Sequence, residues 1–141
     1  MNSAKYDYID RYQEGFARVK LNGKWNYIGK KGKLLSDQWF DCCFSFNEGF
    51  TPVELNGRWN FIDKQGKLLS DTWFHYCWNF RKGFARVYLN YKWNFIDCHG
   101  YLLSDQWFDW CDIFSGKFAT VIIDGIHKVI NTNGEILDER N

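Results

Sequence analysis

A period of 34 residues runs through this chain. Phe16, Phe50, Phe84 and Phe118 lie 34 apart, as do Trp25, Trp59 and Trp93, then Gly32, Gly66, Gly100 and Gly134, then Trp39, Trp73 and Trp107. Over the three full periods that begin at Phe16, 16 of 34 positions are identical. Repetition of this kind restricts the fold to a tandem array, because one unit cannot bury its apolar side alone and must lay it on a neighbour. Fainter copies at both ends set the count. YDYIDRYQEGF from Tyr6 aligns with FDCCFSFNEGF from Phe40, and FATVIIDGIHKVINTNGEILDE from Phe118 follows FARVKLNGKWNYIGKKGKLLSD from Phe16. We read a single β-repeat domain over 1–141, with a short tail at 1–5 and a register of 6–39, 40–73, 74–107 and 108–141. The worn end copies have the character of capping units.

Within a unit the local signals are those of strands. FARVKL alternates Ala17, Val19 and Leu21 with Arg18 and Lys20, and the following Asn22-Gly23 is a strong two-residue hairpin signal because both positions tolerate positive φ. KWNYI is the return strand, a turn follows that ends in the glycine held in all four units, and KLLSDQWF with DCCFSF supplies further extended pieces. No segment has a sustained helical period. The expectation is all-β, with about four units of roughly three short strands each. We read an open stacked array with degenerate ends, since 34 residues are few for a propeller blade; a closed propeller-like or barrel-like ring is the alternative. Pro52, where Arg18 and Arg86 stand, is expected to point outward or sit at an edge, having no N–H for a ladder.

GFARV, then LNGKWNYI, then a turn ending in Gly resemble the WG-containing repeat, also called the KWG repeat, found in bacterial and phage proteins, over nearly the whole chain. This chain has Asn26, Asn60 and Asn94 where that family's naming glycine would stand. The resemblance implies a β-rich scaffold used for binding, with no shared catalytic residues.

With 18 Lys+Arg against 17 Asp+Glu, the sequence carries no overall electrostatic footprint for DNA or RNA. No apolar run reaches the length of a membrane span and residues 1–12 lack a signal core, so a cytoplasmic location is expected. The five cysteines are expected as reduced thiols. Cys43, Cys77 and Cys111 are in register with Ile9, which marks a packing slot, while Cys42 aligns with Tyr8, Tyr76 and Trp110 and is expected to be more exposed. Ser36, Ser70 and Ser104, each followed by Asp, sit in an SDxWF phrase and read as turn residues that bond to backbone. His75, His99 and His127 have no partners at catalytic or metal-site spacing. No enzyme, cofactor or metal is expected.

Aromatics held in register, Phe16, Trp25, Trp39, Phe40, Phe46 and their copies, read as the packing set, although His127 replaces the Trp in the last copy. Others occupy stations that are polar, Gly or Cys elsewhere. Tyr88 stands in place of Lys20, Tyr91 of Gly23, Tyr101 of Lys33, Trp110 of Cys42, and Trp78 is in register with Asp10 and Asp112. Arg81, Arg86 and Lys92 accompany them. Trp78, Tyr88, Tyr91, Tyr101, Trp110, Arg81, Arg86 and Lys92 therefore form the candidate binding set, a π surface edged with cations. The reading is a non-catalytic protein-binding module, an adaptor or an inhibitor that occludes a partner, with homo-oligomerisation through strand edges as a further possibility. The alternative is a small-ligand receptor that sequesters a nucleotide or glycan in a concave site.

Overall fold

The computed structural model of the chain describes residues 5–137; residues 1–4 of the expected tail and 138–141 of the last register lie outside that range. The described residues contain thirteen strands and no α-helix, arranged as four antiparallel sheets that share no strand. The first holds β1 (Tyr8–Gln13), β2 (Phe16–Leu21) and β3 (Lys24–Gly29), the second β4 (Cys42–Cys43), β5 (Phe50–Leu55) and β6 (Arg58–Asp63). The third holds β7 (Tyr76–Cys77), β8 (Phe84–Leu89) and β9 (Lys92–Asp97), and the last β10 (Trp110–Cys111), β11 (Phe118–Ile123), β12 (Ile126–Asn131) and β13 (Ile136–Leu137). In every sheet the strands are hydrogen-bonded in chain order, so each repeat is a meander. Two compact units divide the chain, Met1–Trp73 and Phe74–Asn141, at the boundary between the second and third registers.

The hairpins form as their sequences dictate. Asn22 and Gly23 have φ of 52° and 80°, Asn56 and Gly57 55° and 81°, Asp124 and Gly125 52° and 79°, the paired positive values of a turn whose twist matches the flanking strands. The third hairpin breaks the pattern. Asn90 and Tyr91 have φ of 53° and 69°, so a tyrosine occupies a left-handed position that glycine fills in the other three.

Alternation decides what is buried. Ala17 and Val19 of β2, Val53 of β5, Ala85 and Val87 of β8, and Ala119 and Val121 of β11 are fully or almost fully enclosed. In the first unit Tyr27, Phe40, Cys43, Phe46, Val53 and Ile62 form one cluster; in the second Phe95, Phe108, Cys111, Phe114, Val121 and Ile130 form another. Both clusters join the return strand of one sheet to the opening of the next, and each large apolar side chain in them stabilises the fold by about 1.5–3 kcal/mol. Cys43, Cys77 and Cys111 are buried and Cys42 is half-buried, as their register suggested. Burial pushes the Cys43 and Cys111 thiols up to about 12.

Asn26, Asn60 and Asn94 are wholly buried. Each accepts a 2.7 Å hydrogen bond at Oδ1 from the next residue's N–H, that of Tyr27, Phe61 or Phe95. Each donates from Nδ2 to the carbonyl of Ser36, Ser70 or Ser104 at 2.8–2.9 Å. A glycine at this station could not make either bond, which accounts for WN in place of WG. The serine hydroxyls do what the turn reading requires, accepting the N–H of Gln38, Thr72 or Gln106 two residues on.

Pro52 departs from expectation. It is buried, and β5 is the middle strand of its sheet. Its place is tolerable because the neighbouring Phe44 carbonyl finds other donors. Phe44 N–H bonds to Pro52 O at 3.0 Å, while Phe44 O accepts from the Tyr27 and Thr51 hydroxyls, which lie 2.8 Å apart. Tyr27 and Thr51 are replaced by Phe and Ala in the third register, where Arg86 stands in place of the proline. Burial raises the Tyr27 phenol well above its usual range, so it remains a donor.

The glycines that close the turns carry a second constraint. A Cβ on Gly66 would lie 2.8 Å from the Leu35 carbonyl oxygen, and one on Gly134 would lie 2.3 Å from that of Leu103; both glycines also have positive φ. Gly57 has positive φ and open space around it. Gly57→Ala is expected to cost about 1–2 kcal/mol from backbone strain alone, and Gly66→Ala clearly more, since a packed carbonyl must also give way. Equal losses by denaturant unfolding would refute the close-approach account. Tyr27→Phe is expected to cost about 1 kcal/mol, and the double change with Thr51→Ala more than the sum of the singles, because only then is the Phe44 carbonyl stranded. A double-mutant cycle with zero coupling would remove that explanation of Pro52.

Candidate functional site

The strand register brings part of the candidate set together on one face of the third sheet. Tyr76 pairs with Tyr88, Tyr88 with Trp93 and Arg86 with Phe95, so these side chains share a side, opposite Ala85, Val87 and Asn94. Trp78 N–H bonds to Arg86 O at 3.1 Å, which sets Trp78 beside Arg86. From the last sheet, β10 adds Trp110 and the Cys111 carbonyl, to which Arg86 Nη1 donates at 3.1 Å.

Trp93 is the hub. Its ring stacks on Trp78 at 4.7 Å between centroids, meets Trp110 edge-on at 4.7 Å and lies 5.0 Å from Tyr88. Tyr76 abuts Trp78 edge-on at 4.2 Å. The Arg86 guanidinium lies over three indoles, 5.2 Å from Trp78 and 5.5 Å from both Trp93 and Trp110. Contacts of this kind contribute about 0.5–2 kcal/mol each, depending on desolvation. Arg86, Trp78, Tyr88 and Trp93 are half-buried, and Trp110 is 39% exposed.

The remaining candidates lie elsewhere. Tyr91 is 85% exposed at the tip of the β8–β9 hairpin, just beyond the closing pair Leu89 and Lys92. Lys92, also exposed, forms an ion pair with Asp109. Tyr101 and Arg81 are at the opposite end of the two strands. Tyr101 is 70% exposed and its N–H bonds to Asp97 Oδ1, while Arg81 makes a tight backbone pair with Phe84. Six strand residues separate the two ends, about 17 Å at the usual rise. The arrangement therefore draws Trp78, Tyr88, Trp110 and Arg86 into one cluster, with Tyr91 beyond it at the hairpin tip, and leaves Tyr101 and Arg81 apart.

Trp93 was assigned to the packing set, yet it centres the exposed cluster. Its repetition hid it: Trp59 in the second sheet is buried, whereas Trp25 and Trp93 are half-buried. What distinguishes the stations is their neighbours. Around Trp25 the first sheet keeps a polar version of the same face, an open cleft of about 680 Å³ lined by Asp7, Tyr8, Arg18, Lys20, Gly23 and Trp25. Arg18 lies 4.8 Å and Lys20 5.4 Å from the Trp25 ring. In register, those six residues become His75, Tyr76, Arg86, Tyr88, Tyr91 and Trp93.

The two arginines differ in partners. Arg18 donates from Nε and Nη2 to Asp10 Oδ2 at 2.9 and 2.7 Å, and from Nη1 to Cys43 O at 3.0 Å. Arg86 keeps the carbonyl bond, but Trp78 stands where the carboxylate would be. Its Nε is buried without a hydrogen-bond partner, and Nη2 makes no hydrogen bond among the described residues.

Carboxylates also brace the hairpin tips. Asp7, Asp41 and Asp109 accept the N–H of Asn22, Asn56 and Asp124, the left-handed turn residues, at 2.8–2.9 Å; His75 Nδ1 takes this part for Asn90 at 3.2 Å. Hydrogen bonds from Lys24 and the Asn56 amide hold the Asp41 carboxyl below its usual range, as Lys92 and the Asp124 amide do for Asp109, and Arg18 and the Arg11 amide for Asp10.

The sequence profile of the family described as WG containing repeat matches residues 3–25, 27–59 and 61–93. Its second and third matches start 34 residues apart, and the three end on Trp25, Trp59 and Trp93. No curated protein matches the chain in sequence. Among solved structures, KlHsv2 with loop 6CD replaced by a Gly-Ser linker aligns at 11% identity with a TM-score of 0.55, over 94% of this chain and 52% of that one. Kluyveromyces lactis Hsv2 aligns at 11% and 0.53, over 95% and 51%. The chain spans about half the length of these two structures, and the likeness is one of fold.

A carboxyl whose folded pKa is depressed stabilises the fold fully above its unfolded value, near 4, and that contribution is lost as pH falls through the lower folded value. The thermal midpoint is therefore expected to stay level from neutrality down to about pH 5 and to fall below about pH 4, with a shallower fall in Asp10→Asn. An identical acid slope in that variant would show that the Asp10–Arg18 pair carries none of it.

Proposed function

The chain belongs to the WG-containing repeat family, and from that premise we propose that it is a non-catalytic protein-binding module, an adaptor or inhibitor, whose working surface is the outer face of the third sheet. The observation that carries this reading is the gathering of Trp78, Tyr88, Trp93 and Trp110 around Arg86, at stations where the first sheet has Asp10, Lys20, Trp25 and Arg18 and the second has Cys42. Trp, Tyr and Arg are the residues that most often dominate binding energy when they are packed together with an exposed edge. Trp93 is shared with two other repeats, Trp78 and Trp110 stand where some other copies have Phe44, Tyr8 or Tyr76, and the third repeat alone fills all four stations with aromatics around an arginine.

Tyr91 supports the same reading from another direction. A non-glycine residue at its left-handed φ costs about 1–2 kcal/mol, and with 85% of its surface exposed it recovers little through burial. Strain kept without a packing return is a mark of use. The reading includes a cytoplasmic location.

The cleft beside Trp25 favours a second reading, a receptor for a small ligand. At about 680 Å³, with Arg18 and Lys20 over an indole, it has the size and chemistry for a nucleotide base stacked beside its phosphate, or for a sugar.

The discriminating measurement compares capture of a partner by immobilised wild type with capture by Trp110→Ala, Tyr91→Gly and Tyr101→Ala. Trp110→Ala is expected to lose at least about tenfold in affinity and Tyr101→Ala to keep it. Tyr91→Gly is expected to unfold later than wild type, by about 1 kcal/mol, while binding more weakly. A partner held equally by all three variants would sink the proposal. A fluorescence response to nucleotides or oligosaccharides that disappears in Trp25→Ala would establish the second reading instead.

A further inference from the structure

We propose that Arg86 is a receptor for a carboxylate, supplied by an aspartate or glutamate side chain of the protein partner. The inference rests on the binding-module reading and specifies the chemistry at its centre.

The first repeat contains the template. There Arg18 is anchored by Nη1 on the Cys43 carbonyl, and its two remaining edges, Nε and Nη2, close on one oxygen of Asp10. The third repeat reproduces the anchor, with Nη1 on the Cys111 carbonyl, and the strand position, in the middle of β8. It omits the acid. Trp78 occupies the station of Asp10, and no described carboxylate forms an ion pair with Arg86. The second and fourth repeats show that the arginine and the acid are separable: the pair Arg18 and Asp10 becomes Pro52 and Phe44, then Thr120 and Asp112. Only the third keeps the arginine without the acid.

A guanidinium stays charged at any physiological pH, and its N–H groups are worth most when an anion faces them in a partly desolvated place. The three indoles offset the charge through their faces, but a ring face cannot accept a directed bond from Nε, which is buried and unpartnered. Among anions, a carboxylate is favoured because the first repeat seats one on the same fork with the same carbonyl anchor. The exposed edge of Trp110, over which the guanidinium lies, supplies apolar contact beside it. The partner segment is therefore an acidic residue next to an apolar one. To reach Nε as well as Nη2 it displaces the Trp78 ring, so Trp78 reports on occupancy.

The test is two-dimensional NMR of the isotope-labelled full chain. It follows the Arg86 Nε–H and the indole N–H signals of Trp78, Trp93 and Trp110 while N-acetyl-aspartate methylamide, the asparagine counterpart or inorganic phosphate is added at constant ionic strength. The expected result is a saturable shift with the aspartate compound alone, with Arg18 Nε–H unmoved because Asp10 already holds it. Arg86→Lys, followed through the indoles, is expected to weaken the response at least about fivefold, since lysine cannot present the fork. Trp78→Asp is expected to abolish it by restoring an internal carboxylate. The inference is overturned by no shift into the tens of millimolar, by an equal shift with the asparagine compound, or by a tighter response to phosphate. Those failures leave the binding-module reading to its own test: partner capture lost in Trp110→Ala but unchanged in Arg86→Lys would keep the module and discard the carboxylate.

Discussion

The structure hangs on a buried amide. Asn26, Asn60 and Asn94 each add a side-chain bond between the return strand of the hairpin and the serine of the SDxWF loop that leads onward, between the backbone bonds that already tie the two. With no exposure to water, these side chains have no alternative partners, and an unmet amide or carbonyl there would cost about 1–3 kcal/mol. The loop is thereby held at a fixed place against the hairpin, and the next Phe, at 40 or 108, is delivered into a core. In the last register Lys128 takes the asparagine's station, and the pairing of β12 with β13 holds the stations that Ile28↔Leu34 and Ile96↔Leu102 hold earlier.

Much of this was legible in the residues. Spacing gave the repeat, alternation gave the strands, Asn-Gly gave the hairpins, and Cys against Ile in one register gave the packing slot. The failures have physical causes. The asparagine clamp was unreadable because its partners are carbonyls and amides, which every residue has. Pro52 looked like an edge residue because proline costs a donor; the compensation came from Tyr27 and Thr51, far from it in sequence or hidden by conservative appearance. Trp93 was placed with the packing set because repetition cannot distinguish a ring that is buried everywhere from one that is half-covered in two sheets out of three.

The candidate site was legible as a set of departures, but not as a place. Subtracting the repeat singled out Trp78, Tyr88, Tyr91, Tyr101 and Trp110, yet only strand register could separate Tyr101 from the others. The lost carboxylate was also written in the sequence, in the pairing of positions 10 with 18 and 78 with 86. Reading it required knowing that those two stations touch, and in the first repeat the Asp10–Arg18 contact is the only thing that says so.

The glycines at the ends of the turns have a consequence for how such a chain can change over time. At Gly66 and Gly134 the backbone of one repeat touches a carbonyl of the repeat before it, leaving no room for even a methyl group. A substitution there would act as a wedge between those two neighbours. The hairpin tips have no such close approach: a Cβ on Gly23, Gly57 or Gly125 would meet open space, and Tyr91 stands at that station in the third repeat. The array thus divides its positions into those copied from unit to unit and those free to be edited one unit at a time, so a single repeat can acquire a binding chemistry while its neighbours keep the fold.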